Sequence, residues 1–121
     1  MAQDTGRTRQ PGHSRFRVGR FGAIALHDGT VERDRPEGFV RNAGEDEVRA
    51  AFGEIGLPED KLTITFTALA LETDAGLVLF DTGNGPGAPV TAGRVGANLA
   101  AAGHSADDVR LVAISHFHGD H

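Results

Sequence analysis

Cysteine is absent from the 121 residues, and with it go disulfides and thiolate metal ligands. Any metal must therefore be held by nitrogen and oxygen. Tryptophan and tyrosine are absent too. No apolar run approaches the length of a membrane span, and the amino end lacks an apolar stretch that could act as a secretion signal. These absences fit a cytoplasmic protein with no membrane partner. Positive charge is scarce overall, with a net charge of −5, but it is unevenly placed. Arg7, Arg9, Arg15, Arg17 and Arg20 face only Asp4 in the first twenty residues, a local balance of +4 against −9 for the remainder. No aromatic residue in the first fifteen positions could stack on bases, so the arginines read as a solvated tail rather than a nucleic-acid contact.

Residues 1–14 are polar, with Gly6, Gln10, Pro11 and Gly12, and read as a loose tail in which His13 is solvated. Residues 15–121 read as the folded part. Val18, Phe21, Ile24 and Leu26 predict a first strand region over 16–26, ending at the turn signal Asp28-Gly29, with His27 at the strand end. Residues 33–42 are charged, hold Pro36 and Gly38, and read as loop. Val48, Phe52 and Ile55 fall at i, i+4 and i+7, one helical face, with Glu45, Asp46 and Glu47 in the first turn where the helix dipole favours negative charge. Leu62, Ile64, Phe66 and Ala68 alternate with threonines, the period of a half-buried strand. Asp74-Ala75-Gly76 is short enough for a hairpin into the apolar run 77–80. Val95, Leu99 and Ala102 mark a second helical face closed by Gly103, and Ser105 to Asp108 has the pattern of a helix-start cap.

Three of the six histidines lie in the last six residues, His116-Phe117-His118-Gly119-Asp120-His121. Imidazole and carboxylate are the ligands that Zn²⁺ and related ions prefer. The run Leu111-Val112-Ala113-Ile114 before them suits a buried strand, from whose end the cluster emerges. On an extended segment residues two apart point the same way, so His116 and His118 can reach one ion. Gly119 lets the backbone turn, bringing Asp120 and His121 toward a second. Asp120 would also contact the nucleophilic water. A purification tag would be uninterrupted histidine, which Phe117, Gly119 and Asp120 contradict. Phe117 points away from the ligands and reads as packing under the loop. Asp81 ends the apolar strand 77–80 and has two readings: a carboxylate supporting the site, or a simple turn former in Asp81-Thr82-Gly83. His104 reads as structural.

An apolar strand followed by His-x-His-x-Asp-His resembles the metallo-β-lactamase-fold hydrolase superfamily. Leu77-Val78-Leu79-Phe80-Asp81-Thr82-Gly83 is similar to that family's second marker, residues 67–76 to the strand and turn before it, and residues 93–103 to the helix leading into the metal strand. The resemblance runs from about Phe16 to His121. Arg17-Val18-Gly19 and Asp28-Gly29-Thr30 lean toward the branch of lactonases and methyl-parathion-hydrolase-like enzymes. It implies an α+β fold, the N-terminal half of a four-layer αββα sandwich over 15–121, truncated at the metal-binding motif. The family's later ligands, a further His, a bridging Asp and a final His, belong to the second half. In the family the counterpart of Asp81 lies beneath the metals and supports the ligand loop through hydrogen bonds.

The expected activity is metal-dependent hydrolysis of a small molecule, an ester, lactone, lactam or phosphotriester. His116 and His118 would hold one Zn²⁺, and Asp120 with His121 a second, Asp120 being also the catalytic residue that orients the nucleophile. Iron and manganese are the alternative metals. A glyoxalase II-like thioesterase or an iron-dependent sulfur dioxygenase on the same fold is the rival enzyme, and a non-catalytic truncated fragment prone to aggregate is the rival state. The sequence does not specify an oligomeric state.

Overall fold

The computed structural model describes residues 12–88 and 91–121. The chain divides into two compact units, one of Thr30–Thr65 and the other of the residues up to Gly29 with Phe66–His121. In order, the elements are β1 (His13–Val18), β2 (Phe21–Asp34), α1 (Glu45–Glu54), β3 (Lys61–Thr73), β4 (Gly76–Phe80), α2 (Val95–Ala101), a 3₁₀ turn (Ala106–Asp108) and β5 (Val109–Ala113). The strands form one sheet in the order β1-β2-β3-β4-β5.

β1 and β2 are an antiparallel hairpin in which Val18 faces Phe21. The single strand region expected over 16–26 is therefore two strands, joined at Gly19, whose φ of 57° supplies the left-handed turn. β1 takes in His13 and Ser14, which the sequence pattern assigned to the tail; the rest of that tail, residues 1–11, lies outside the described residues. His13 is half-buried, with a buried Nδ1 that has no hydrogen-bond partner among the described residues. His27 lies inside β2 rather than at its end. Asp28-Gly29 likewise continues the strand instead of turning it. Gly29 must lack a side chain, because a Cβ there would collide with the backbone of Thr91 and Ala92.

β3 and β4 pair antiparallel across the tight Asp74-Ala75 turn, with Thr73 opposite Gly76. β4 and β5 are parallel, so a crossover must connect them, and α2 supplies it. Ile24 and Leu26 of β2, Ala68 and Ala70 of β3, and Leu77 and Leu79 of β4 recur every second residue and so share one sheet face. Val95, Leu99 and Ala102 cover that face as the helical stripe the sequence predicts, completing the core. Arg15 Nη1 donates to Glu72 at 2.7 Å and its other terminal nitrogen to the Ala102 carbonyl, while His104 Nε2 lies 3.2 Å from Glu72. The 3₁₀ turn carries the expected cap, Ser105 N donating to Asp108 at 2.7 Å. β5 departs from expectation. It is an edge strand, and Leu111 and Val112 are 58% and 44% exposed rather than buried.

In the Thr30–Thr65 unit, Val48 is the buried residue of α1. The charged segment expected as loop contains a buried cation, Arg35. Its guanidinium donates to both Glu45 oxygens at 3.0 and 2.9 Å and to the Glu59 carbonyl at 3.1 and 2.9 Å, and lies 5.4 Å above the Phe52 ring. Paired and hydrogen-bonded, the charge can be buried at acceptable cost. None of the described helices is long and apolar enough to cross a membrane.

Candidate metal centre

The site is assembled where β4 and β5 end side by side. Asp81 follows β4 directly and, among the described residues, is the one non-glycine with positive φ, 63°. Asp tolerates this left-handed conformation better than most side chains, and there it turns the chain out of the strand. Its backbone N–H donates to the Ala113 carbonyl at 2.9 Å. Its Oδ1 accepts from Ser115 N at 2.7 Å, and its Oδ2 from Ser115 Oγ at 2.8 Å, with His121 Nδ1 2.9 Å away. The Ser115 backbone N–H, aided by His121 and the Ser115 hydroxyl, outweighs desolvation and holds the carboxyl down to about 2. Thr82 fastens the other end of the loop: its N–H at 2.7 Å and its Oγ1 at 2.6 Å both donate to the His121 carbonyl. His121 N–H donates back to the His118 carbonyl at 3.2 Å, closing a turn. Asp81-Thr82 is thus a two-point clamp on the Ser115–His121 loop as well as a turn.

Within the clamped loop His116 Nε2 lies 3.1 Å from His118 Nδ1, with the rings edge to face. His121 Nε2 lies 3.2 Å from Asp120 Oδ2. The His116 and His121 ring centres are 3.9 Å apart. Two ligand atoms about 2.0–2.1 Å from one tetrahedral ion are separated by about 3.3 Å, so each pair has the bite of a half-occupied coordination sphere. Among the described residues, no three His, Asp or Glu side chains are arranged to hold one ion. The donor chemistry fits divalent ions in pairs, each pair leaving further coordination positions to other donors.

One expectation about this loop is corrected: Phe117 does not pack beneath it but is 97% exposed. The chain does turn at Gly119-Asp120, although Gly119 has no positive φ and a side chain there would meet open space. The His118–His121 hydrogen bond makes the turn with ordinary backbone angles.

The sequence reading also missed Asp28, which is fully buried. Its carboxylate accepts from Asn84 N at 2.9 Å, Asn84 Nδ2 at 2.8 Å and Val95 N at 3.2 Å, and its carbonyl accepts from Arg94 N at 3.0 Å. Burial opposes its charge, but hydrogen bonds from the Asn84 side chain and from the backbone of Asn84, Gly93 and Val95 prevail and hold it below the usual carboxylate range. Asp28 thereby pins both the segment that follows the clamp and the start of α2. Gly83 must lack a side chain because a Cβ there would overlap the Asp28 carboxylate. The signal was present: Ile24, Leu26 and Asp28 are in phase, so the acid falls on the buried face of β2.

Comparison with known proteins agrees with this fold. The family model described as the metallo-beta-lactamase superfamily matches residues 62–121. Among solved structures the chain is similar to AidC, a dizinc quorum-quenching lactonase in complex with the product N-hexnoyl-L-homoserine, at 25% identity and a TM-score of 0.83, covering 91% of this chain and 37% of that one. It is also similar to the hydrolase AbOPH of the beta-lactamase superfamily, at 21% identity and a TM-score of 0.77, covering 91% of this chain and 38% of that one. The chain therefore spans little more than a third of the length of these structures. Among curated proteins none matches. By its fold and by the match over 62–121, the chain belongs to the metallo-beta-lactamase superfamily and forms the N-terminal part of that fold.

Proposed function

We propose that this chain carries one side of the metal centre of a small-molecule hydrolase, with a lactone as the favoured substrate class. The observation that carries the reading is the clamped loop, in which His116 with His118, and Asp120 with His121, stand at the bite of a divalent ion. The likeness to a dizinc lactonase supports both zinc and the lactone, and esters, lactams and phosphotriesters are the neighbouring classes. His116, His118, Asp120 and His121 would hold the ions, with other donors completing each coordination sphere. When bound, divalent ions supply hydroxide from water near neutral pH and a Lewis acid for the developing oxyanion.

The chain's own residues do the positioning. Asp81 and Thr82 hold the loop, so the imidazoles need not be ordered each time the site is filled. Asp120 is half-buried beside His121, where its second oxygen can accept a proton from the nucleophile and aim it. The exposed His116 and His118 leave the face of the loop open to substrate.

The test is turnover by the intact protein, purified, stripped of metal and then supplied with Zn²⁺, Mn²⁺ or Fe²⁺, on an N-acyl-homoserine lactone, an aryl ester, a β-lactam and an aryl phosphotriester. Metal-restored lactone hydrolysis that Asp120→Asn depresses is expected. Full turnover by the stripped protein would overturn the proposal. So would stoichiometric iron with oxygen consumption, which would favour the sulfur-oxidising reading.

A further inference from the structure

One polar side chain links the loop's donors without being a donor to metal itself. Ser115 Oγ lies 2.8 Å from Asp81 Oδ2, 3.0 Å from His116 Nδ1 and 3.4 Å from His121 Nδ1. A hydroxyl has one proton to give and two lone pairs to receive with, whereas an ionised carboxylate only accepts. The Ser115 proton therefore goes to Asp81. The Ser115 oxygen can then only accept from His116, which requires the His116 proton to sit on Nδ1. A neutral imidazole has a single N–H, so His116 is left with a bare Nε2, the nitrogen that faces His118 Nδ1 at 3.1 Å. His121 is different: its Nδ1 lies 2.9 Å from Asp81 Oδ2 and its Nε2 3.2 Å from Asp120 Oδ2, so carboxylates on both sides call for its proton.

We infer that Ser115 is a positioning residue that fixes the tautomer of His116. Asp81 thereby acts on one candidate metal ligand, His116, through the Ser115 hydroxyl. The inference rests on the metal-centre reading above, which makes the bare Nε2 of His116 the nitrogen that would hold the ion. Hydrogen bonds to the remote nitrogen of a ligating histidine set its tautomer and ring orientation, and losing one costs about 10–100-fold in metal affinity.

The experiment is two-bond proton–nitrogen correlation NMR of the intact protein with ¹⁵N-labelled histidine, metal-free, at a pH where the imidazoles are neutral. It is paired with Zn²⁺ affinity from chelator competition. In the parent protein His116 is expected as Nδ1–H. In Ser115→Ala, His116 should move toward the Nε2–H form while His121 stays, and Zn²⁺ affinity should fall about 10–100-fold. Ser115→Thr, which keeps the hydroxyl, should restore both readouts. Should Ser115→Ala fail to fold, Asp81→Asn serves instead. Its amide would donate toward Ser115, whose own proton then turns to His116 Nδ1, so the His116 tautomer should reverse, whereas an unchanged His116 would overturn the relay. A parent His116 found as Nε2–H, or a His116 tautomer unchanged in Ser115→Ala, would also overturn it. The tautomers are read without metal, so failure of the parent to bind Zn²⁺ would strike the metal-centre proposal and leave the relay to be judged on its own spectrum.

Discussion

Replacing Asp28 with asparagine isolates the support on which the loop's surroundings depend. The change is nearly isosteric, so the packing around the side chain is preserved. What changes is hydrogen-bond chemistry. One oxygen now accepts from two donors of Asn84 and the other from Val95. In Asp28→Asn one of these oxygens becomes an NH₂ aimed at N–H groups, leaving one or two buried donors without an acceptor. At about 1–3 kcal/mol for each buried donor left unsatisfied, the loss should be about 2–4 kcal/mol. Urea unfolding of the intact protein near neutral pH, followed by far-UV circular dichroism, measures it as a lower midpoint at unchanged m-value. The pH dependence adds a second check. The folded carboxyl lies below its ordinary 3.8, so its contribution is complete above that value and drains away as pH falls through the depressed one. The gap between parent and variant should therefore narrow in acid. A loss below about 0.5 kcal/mol near neutral pH, the range of ordinary surface substitutions, would refute the argument that Asp28 organises the loop and the start of α2.

Leu99→Ala removes the central residue of the helical stripe and should cost about 2–5 kcal/mol in the same unfolding assay, the range for truncating a buried leucine. Gly119→Ala should change stability by less than about 0.5 kcal/mol and leave zinc affinity within a few-fold, since ordinary φ and open space surround the site. Asp81→Ala removes the acceptor of three hydrogen-bond contacts and places alanine at a φ of 63°, and chelator competition should show at least about tenfold weaker zinc binding. Because Asp81 titrates at about 2 when folded against 3.8 ordinarily, its contribution to stability is present above about pH 4 and lost between there and pH 2, so parent and Asp81→Ala should converge in acid.

The elements that were legible in the sequence are those specified by neighbours in the chain. The β3–β4 hairpin follows from alternation and a short turn, and α2 from its i, i+4, i+7 stripe and Gly103. α1 follows from its acidic first turn and Gly56, but of the expected stripe Val48 is buried while Ile55 lies beyond the helix and is 71% exposed. The clustering of donors in residues 116–121 is equally local. What escaped was set by distant partners. Asp28-Gly29 is a turn signal in isolation, yet hydrogen bonds to Asn84 and Val95 make it the buried interior of a strand. The turn at Gly19-Arg20 lacks the usual Asn-Gly or Asp-Gly pattern and was merged into one strand. Leu111 and Val112 are apolar but lie on an edge strand, because hydrophobicity says which side chains favour burial and not which ones the sheet order covers. Ser115 carries no signal of its own in the sequence. Its links to Asp81 and two histidines appear only when β4 and β5 lie side by side.

The most direct measurement is the metal content of the intact protein by plasma mass spectrometry after equilibration with zinc and gel filtration, for the parent and for His116→Ala and His121→Ala. Two ions per molecule in the parent, and a loss of at least about one in each variant, is the predicted result. A parent that leaves the column metal-free, or variants that retain its full complement, would contradict the account.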